Sequence, residues 1–404
     1  MKYIERQQYL NRIIGLRGKP DIKIITGIRR AGKSELLRAY KKYLNNFVDI
    51  NIIFVDYADL LFDDIKEYKK LYKYVEDRYI ENKENIVMID EVQLCPEFEL
   101  AVNSLHNSGK YDLYITGSNA FLLSSDLATL FTGRFVEIHV FPFSFKEYCE
   151  YFEIDGREID ALENYLIAGG LSGSYIYNGT VDAKNYIYNV YETIEKRDLV
   201  DKYNITELSV LDSLSEFLMD NISNLTTTNN ISNLLKLNSI DTNHVTIGNY
   251  LKYLCNAYLF YKVKRYDIKG KKYLETSDKY YLSDLGIRYS VLGERNMDYG
   301  RAYENVIALE LLRRGYDIYV GKLYQKEIDF VAIKQSEKIY IQVSDNIRDA
   351  ATLERELAPL RSIKDAYPKI LIANTRHPQY DVEGIQIYDI ARWLLESEKS
   401  IESF

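Results

Sequence analysis

Apolar residues cluster early in this chain as short unbroken runs, at 22–26, 50–56, 86–90, 112–116 and 135–140. Between them the apolar positions fall at three- and four-residue spacing, over 34–44, 66–81, 98–108 and 124–131. The first rhythm predicts strands and the second amphipathic helices. Strands that alternate with helices predict an α/β fold, a parallel sheet with crossover helices on both faces. Runs without polar alternation suit strands buried on both sides.

The rhythm changes after about residue 150. Residues 152–204 read as mostly helical, broken at Gly169, Gly170 and Gly173. Residues 208–221, 231–237 and 245–257 read as three helices, followed by strands at 259–266 and 272–276 around a turn at Lys269-Gly270. Three helices and a hairpin in that order predict a winged-helix module. A last segment reads as a helix at 303–314, strands at 317–320, 327–333 and 339–343, a helix at 350–363 and a strand at 369–373. The expected division is 1–150, 151–206 as a helical connector, 207–293 as the winged-helix module, and 294–404 as a small α/β unit.

The first strand runs into Gly27-Ile28-Arg29-Arg30-Ala31-Gly32-Lys33-Ser34, which fills every fixed position of the phosphate-binding pattern G-x-x-x-x-G-K-[ST]. Glycines there let successive N–H groups turn toward one anion and let phosphate approach the backbone. The following helix presents its amides and positive dipole end to the same anion. Lys33 has the reach for the β and γ phosphates, and the Ser34 hydroxyl suits a magnesium ion. Arg29 and Arg30 are secondary phosphate candidates.

The strand at 86–90 ends in Asp90-Glu91. Asp90 is the expected magnesium holder opposite Ser34, and Glu91 the base for an attacking water. The next strand ends in Thr116-Gly117-Ser118-Asn119, where Asn119 or Ser118 would position that water. Arg134 is a candidate arginine finger, in cis or from a neighbouring copy, which leaves a homo-oligomer as an open expectation.

Composition narrows the partners. A chain of 404 residues with 47% hydrophobic and 28% charged residues is an ordinary globular protein with room for several cores. No apolar run reaches the roughly eighteen residues of a membrane span, and no leader pattern opens the chain, so a cytoplasmic protein is expected. Cys95, Cys149 and Cys255 lie far apart, as do His106, His139, His244 and His377, which argues against disulfides and a zinc site. The net charge of −8 argues against a general nucleic-acid coat. One local exception stands out: hairpin 262–272 carries Lys262, Lys264, Arg265, Lys269, Lys271 and Lys272 against Asp267 alone. DNA is the partner expected there, through its phosphates.

The stretches 27–34, Ile-Asp-Glu-Val-Gln at 89–93, Ile-Thr-Gly-Ser-Asn at 115–119, Leu-Phe-Thr-Gly-Arg-Phe at 130–135 and Phe-Pro-Phe-Ser-Phe-Lys-Glu-Tyr at 141–148 resemble prokaryotic AAA-type ATPases with a C-terminal domain of unknown function. The likeness spans essentially the whole chain and is strongest before Tyr148. It implies ATP as the nucleotide, with Mg2+, and the roles above for Asp90 and Glu91. It specifies no protein client.

The last segment resembles the restriction-endonuclease-like PD-(D/E)XK fold, with Glu304 on its first helix and Asp329 on its middle strand. Working members carry Glu-x-Lys on the next strand, where this chain has Gln342 and Ser344. Gln lacks the metal-binding charge and Ser lacks the lysine's cation, so a degenerate fold used for binding is expected. The leading expectation is an ATP-hydrolysing AAA-type switch or motor. A metal-dependent nuclease gated by ATP and a nucleotide-regulated binding module are its rivals.

Overall fold

The computed structural model describes residues 4–118, 131, 133–156, 158–177, 180–293 and 298–396. The expected helix at 124–131 and Asn119 lie outside or almost wholly outside that set. The chain forms two units, one comprising residues up to Pro142 with Asn256–Tyr258, the other the remainder.

In the first unit α1 (Gln7–Gly15) precedes β1 (Ile22–Thr26), α2 (Lys33–Leu44), β2 (Ile50–Asp56), α3 (Tyr68–Glu76), β3 (Glu84–Asp90), α4 (Phe98–Asn107), β4 (Tyr111–Thr116) and β5 (Phe135–His139). The five strands are parallel in the order β2-β3-β4-β1-β5. All five residues of β1 are buried, as expected for a strand covered on both faces. Ile24, Val55, Ile89 and Ile115 pack with Leu71, Val102 and Leu105 into one core. Each such side chain contributes about 1.5–3 kcal/mol by leaving water. Tyr40 of α2 meets Tyr114 of β4, hydroxyl to hydroxyl at 3.0 Å. The strand order matters for function: β4 lies between β1 and β3, so its end falls between the phosphate loop and Asp90-Glu91.

The second unit opens with α5 (Phe145–Phe152), started by a reciprocal Ser144–Glu147 capping box, and α6 (Glu158–Ala168). The glycine break expected at 169–170 has a steric cause. A Cβ on Gly169 would meet Asp284 Oδ1 at 1.9 Å, and the Asp284 carboxylate accepts from the Gly170 N–H at 2.5 Å. Helix α7 (Val181–Thr193) passes into a π-helical turn over Ile194–Val200. Then follow α8 (Leu208–Asp220), α9 (Thr228–Leu237), α10 (His244–Asn256) and the hairpin β6 (Phe260–Asp267) and β7 (Lys272–Leu282).

The hairpin does not stand off as a separate wing. Arg265, Tyr266 and Asp267 of β6 pair in parallel with Val320, Gly321 and Lys322 of β8. It therefore forms one edge of an eight-stranded mixed sheet, in the order β12-β13-β11-β10-β9-β8-β6-β7. That sheet adds β8 (Asp317–Leu323), β9 (Lys326–Lys334), β10 (Glu337–Ser344), β11 (Lys369–Ala373), β12 (Tyr380–Val382) and β13 (Ile385–Asp389). Between the hairpin and β8 come α11 (Leu285–Leu292) and α12 (Tyr299–Arg313), while α13 (Ala350–Arg361) and α14 (Ile390–Leu395) follow β10 and β13. Leu357 and Leu360 of α13 pack on Ile328, Val331, Tyr340 and Leu371 of the sheet.

Candidate nucleotide site and a second acidic cluster

The phosphate loop owes its course to its glycines. Gly27 has φ +135°, and a Cβ there would stand 2.1 Å from the Val140 carbonyl oxygen. That carbonyl is held close because the Val140 N–H donates to Thr26 O at 2.9 Å. Arg30 and Gly32 also take positive φ, so the chain reverses tightly before α2 begins at Lys33. Ile28 and Ala31 are buried, Arg29 is partly buried and Arg30 exposed. The Lys33 ammonium donates to the carbonyls of Gly27 at 2.8 Å and Ile28 at 3.0 Å.

Arg6, just ahead of α1, is buried and absent from the sequence expectations. Its Nη1 donates to Ala31 O inside the loop and to Phe141 O beyond β5, both at 2.9 Å. The guanidinium thus ties the loop's outer turn to the chain that follows the edge strand. The clue available in the sequence was an arginine inside the amphipathic stretch before residue 16.

The acidic half of the site meets the loop through hydroxyl groups. Asp90 is buried at the end of β3, opposite Asp56 on β2. Its carboxylate accepts from the hydroxyls of Thr116 and Ser34. Thr116 Oγ1 in turn accepts from the Glu91 N–H at 2.9 Å. Thr116 therefore grips both acidic residues. Burial pushes the Asp90 acid up; the two hydroxyls oppose this, and the charges of Glu91 and Asp56 add to it.

Glu91 adopts the left-handed conformation, φ 52° and ψ 48°, which turns it off the strand line. The Gln93 side-chain amide donates to the Glu91 carboxylate and lies 3.5 Å from Ser118 Oγ. Gln93, also unassigned from sequence, holds the candidate base in place.

A carboxylate burdened by two further acids, beside a loop hydroxyl, is an oxygen donor set short of positive charge. That suits a hard dication such as Mg2+, which keeps waters and takes few protein ligands. Among the described residues no group of three or more His, Cys, Asp or Glu could hold a metal ion by itself.

Arg134 stands elsewhere. It precedes β5, which runs parallel to β1 with Phe135 opposite Ile22 and His139 opposite Thr26. Arg134 is thus at the starting edge of the sheet and the phosphate loop at the finishing edge, a strand length of roughly 15 Å away. Its Nη1 donates to Asn107 Oδ1 at 3.0 Å. That geometry sets Arg134 away from its own chain's phosphate loop, and of the two expected roles, in cis or from a neighbouring copy, it favours the second. Asn119 lies outside the described residues.

The second unit holds another acidic group. Glu304 of α12 with Glu327 and Asp329 of β9 surround the buried Lys279 ammonium, at 2.8, 2.8 and 3.8 Å. Tyr281 donates to Glu304 at 2.7 Å, and the Val343 N–H to Asp329 Oδ2 at 2.8 Å. Gln342 lies alongside, its Oε1 3.4 Å from the Asp329 N–H. The three carboxylates raise the lysine's affinity for its proton, against the cost of burial. One cation cannot neutralise three acids, and burial followed by the charge of Glu304 holds Asp329 well above the carboxylate range. Lys279 sits on β7, beyond the segment in which sequence reasoning sought a catalytic set, and so was missed.

Residues 19–149 match the AAA domain family, and residues 159–298 match a domain of unknown function. An uncharacterized protein of Haemophilus influenzae is 36% identical over 97% of this chain and 99% of its own length. An uncharacterized protein of Methanocaldococcus jannaschii is 27% identical over 96% of this chain and 88% of its own. Among solved structures, Aeropyrum pernix Orc1 in complex with DNA is 13% identical with a TM-score of 0.31, covering 72% of this chain and 93% of that one. At that score the likeness informs no residue of the site. No helix among the described residues is long and apolar enough to cross a membrane.

Proposed function

This chain belongs to the family of the uncharacterized Haemophilus influenzae protein and carries an AAA domain, and on that premise we propose that it is an ATP-hydrolysing switch. The observation that carries the reading is the hydroxyl bridge of Ser34, Asp90 and Thr116, which joins the phosphate loop to the acidic strand end. The loop N–H groups and the start of α2 would hold the phosphates. Lys33, now on loop carbonyls, would exchange those partners for phosphate oxygens. Ser34 and Asp90 would hold Mg2+, which when bound neutralises phosphate charge. Glu91, steadied by Gln93, would take the proton from the attacking water. Nucleotide state would reach the rest of the protein through β4, whose Thr116 bonds to Asp90 on one side while the Gly117 N–H donates to Ile25 O at 3.1 Å on the other.

Within this reading the second unit combines a winged-helix-like run and a degenerate nuclease-like fold as binding modules, with basic hairpin 262–272 against DNA phosphates. Lys279 favours binding over cutting, because its ammonium already fills the space among Glu304, Glu327 and Asp329. The deciding measurement is ATP turnover and nucleotide affinity side by side. Lys33→Ala should lose binding, while Glu91→Gln should bind ATP and lose about 10²–10⁴-fold in turnover. Full turnover in Glu91→Gln would remove that residue as the base.

A further inference from the structure

Toward the hairpin edge, the sheet face on which α13 packs carries a group of tyrosines, buried at Tyr266 and open to solvent at Tyr273. Tyr266 of β6 and Tyr273 of β7 are direct cross-strand partners and so share one face. Tyr319 of β8 joins them: ring centroids lie 5.6 Å apart for Tyr266–Tyr273, 4.9 Å for Tyr273–Tyr319 and 6.1 Å for Tyr266–Tyr319. Tyr273 is the outermost, 57% exposed although two rings brace it. An exposed aromatic held this firmly loses little freedom when something stacks on it.

Cations frame the rings. Lys338 of β10 stands 5.4 Å from the Tyr266 ring centre and 4.9 Å from that of Tyr367. At the hairpin tip Lys269 lies 4.7 Å from the centre of the exposed Tyr324 ring. Lys264, Lys271 and Lys272 are exposed nearby, while Lys262 is bound to Asp278 at 2.7 Å. In a chain of net charge −8, the hairpin's six cations against one acid mark a local reversal of sign.

We propose that this tyrosine-and-lysine face binds single-stranded DNA, with bases stacking on Tyr273 and Tyr319 and phosphates following Lys269 and Lys271 at the hairpin tip and Lys338 beside the rings. The charge reversal calls for a polyanion. The exposed ring calls for a polyanion that offers flat π faces, which a duplex keeps inside its stack. The proposal rests on the basic hairpin of the functional reading and is independent of the ATP site, so the measurement needs no nucleotide.

The test is anisotropy of a labelled oligothymidylate, and of a duplex of equal length, titrated with the full chain at low and at physiological salt. The expected result is tighter binding of the single strand, weakening steeply with salt. Tyr273→Ala should weaken it about 5- to 100-fold and Tyr273→Phe should restore most of the affinity. Lys269, Lys271 and Lys338 changed together to Ala should flatten the salt dependence. Wild-type affinity in Tyr273→Ala, or duplex bound as tightly as the single strand, overturns the proposal. Loss of single-strand and duplex binding alike in the lysine variant, with wild-type affinity in Tyr273→Ala, leaves the basic hairpin standing and overturns the stacking face.

Discussion

Asp90 in the first unit and Asp329 in the second are both buried strand carboxylates, and burial raises both acids above their ordinary range. Both have further carboxylates beside them. They differ in where the compensating charge comes from. Around Asp329 the chain supplies it, as the Lys279 ammonium of β7. Around Asp90 it supplies hydroxyls from Ser34 and Thr116, while Lys33 turns to loop carbonyls instead. A carboxylate cluster with a covalently attached cation is closed to exchange and acts as structure. One left short of charge is open to a cation that arrives with its ligand.

The largest effect that can break this comparison is at Lys279. Lys279→Met keeps the apolar stem and removes the charge, leaving three carboxylates with no cation among them. A cost of about 3–5 kcal/mol is expected, read by denaturant unfolding of the second unit. The sign with pH is also set. Removing the ammonium raises the folded pKa values of Glu304 and Asp329 further above their unfolded ones. Their protonated forms are then favoured by folding, so the deficit should be smallest in acid and grow as pH rises through those folded values. A deficit independent of pH would mean that Lys279 acts by packing alone.

These two clusters also mark what was legible in the sequence. The loop, Asp90 and Glu91 are local: a strand, a fixed spacing and a strand end identify them without tertiary information. The parallel sheet was legible for the same reason, since its strands are unbroken apolar runs. Lys279, Arg6 and Gln93 were not, because their partners lie across a sheet, across the domain, or on a side chain whose direction depends on the left-handed turn at Glu91. The end of the sheet that Arg134 occupies was not legible, because sequence proximity to a strand does not specify it. The hairpin was read correctly as a hairpin, but its edge pairing with β8 joins residues more than fifty positions apart and left no local trace. Strands β12 and β13 were missed because one has three residues and both are short.

A middle-sized effect tests how the open site is braced. Arg6→Ala removes the donor shared by Ala31 O and Phe141 O, leaving two carbonyls to find water at a nearly buried position. A loss of about 2–3 kcal/mol is expected from the unmet acceptors and lost stem packing. Lys at this position should recover only part, since it cannot serve two carbonyls with one planar fork. If nucleotide affinity falls with stability, the loop is braced for binding; if stability alone falls, Arg6 is a fold anchor.

The smallest effect has the opposite sign. At Asp90 a charge is buried near Glu91 and Asp56, and the Arg38 guanidinium is held on Asp56 at 3.1 Å, so Asp90→Asn relieves repulsion while keeping the shape. The amide oxygen can still accept from Thr116 and Ser34. The nucleotide-free protein should therefore become more stable by about 1 kcal/mol, measured by urea unfolding. Magnesium should then add little to ATP affinity in this variant. The paired outcomes separate the two clusters: removing an acid stabilises the site that awaits a cation, while removing the cation destabilises the site that contains one. Destabilisation by Asp90→Asn would mean that Asp90 is already compensated, and the comparison with Lys279 would fail at its open end.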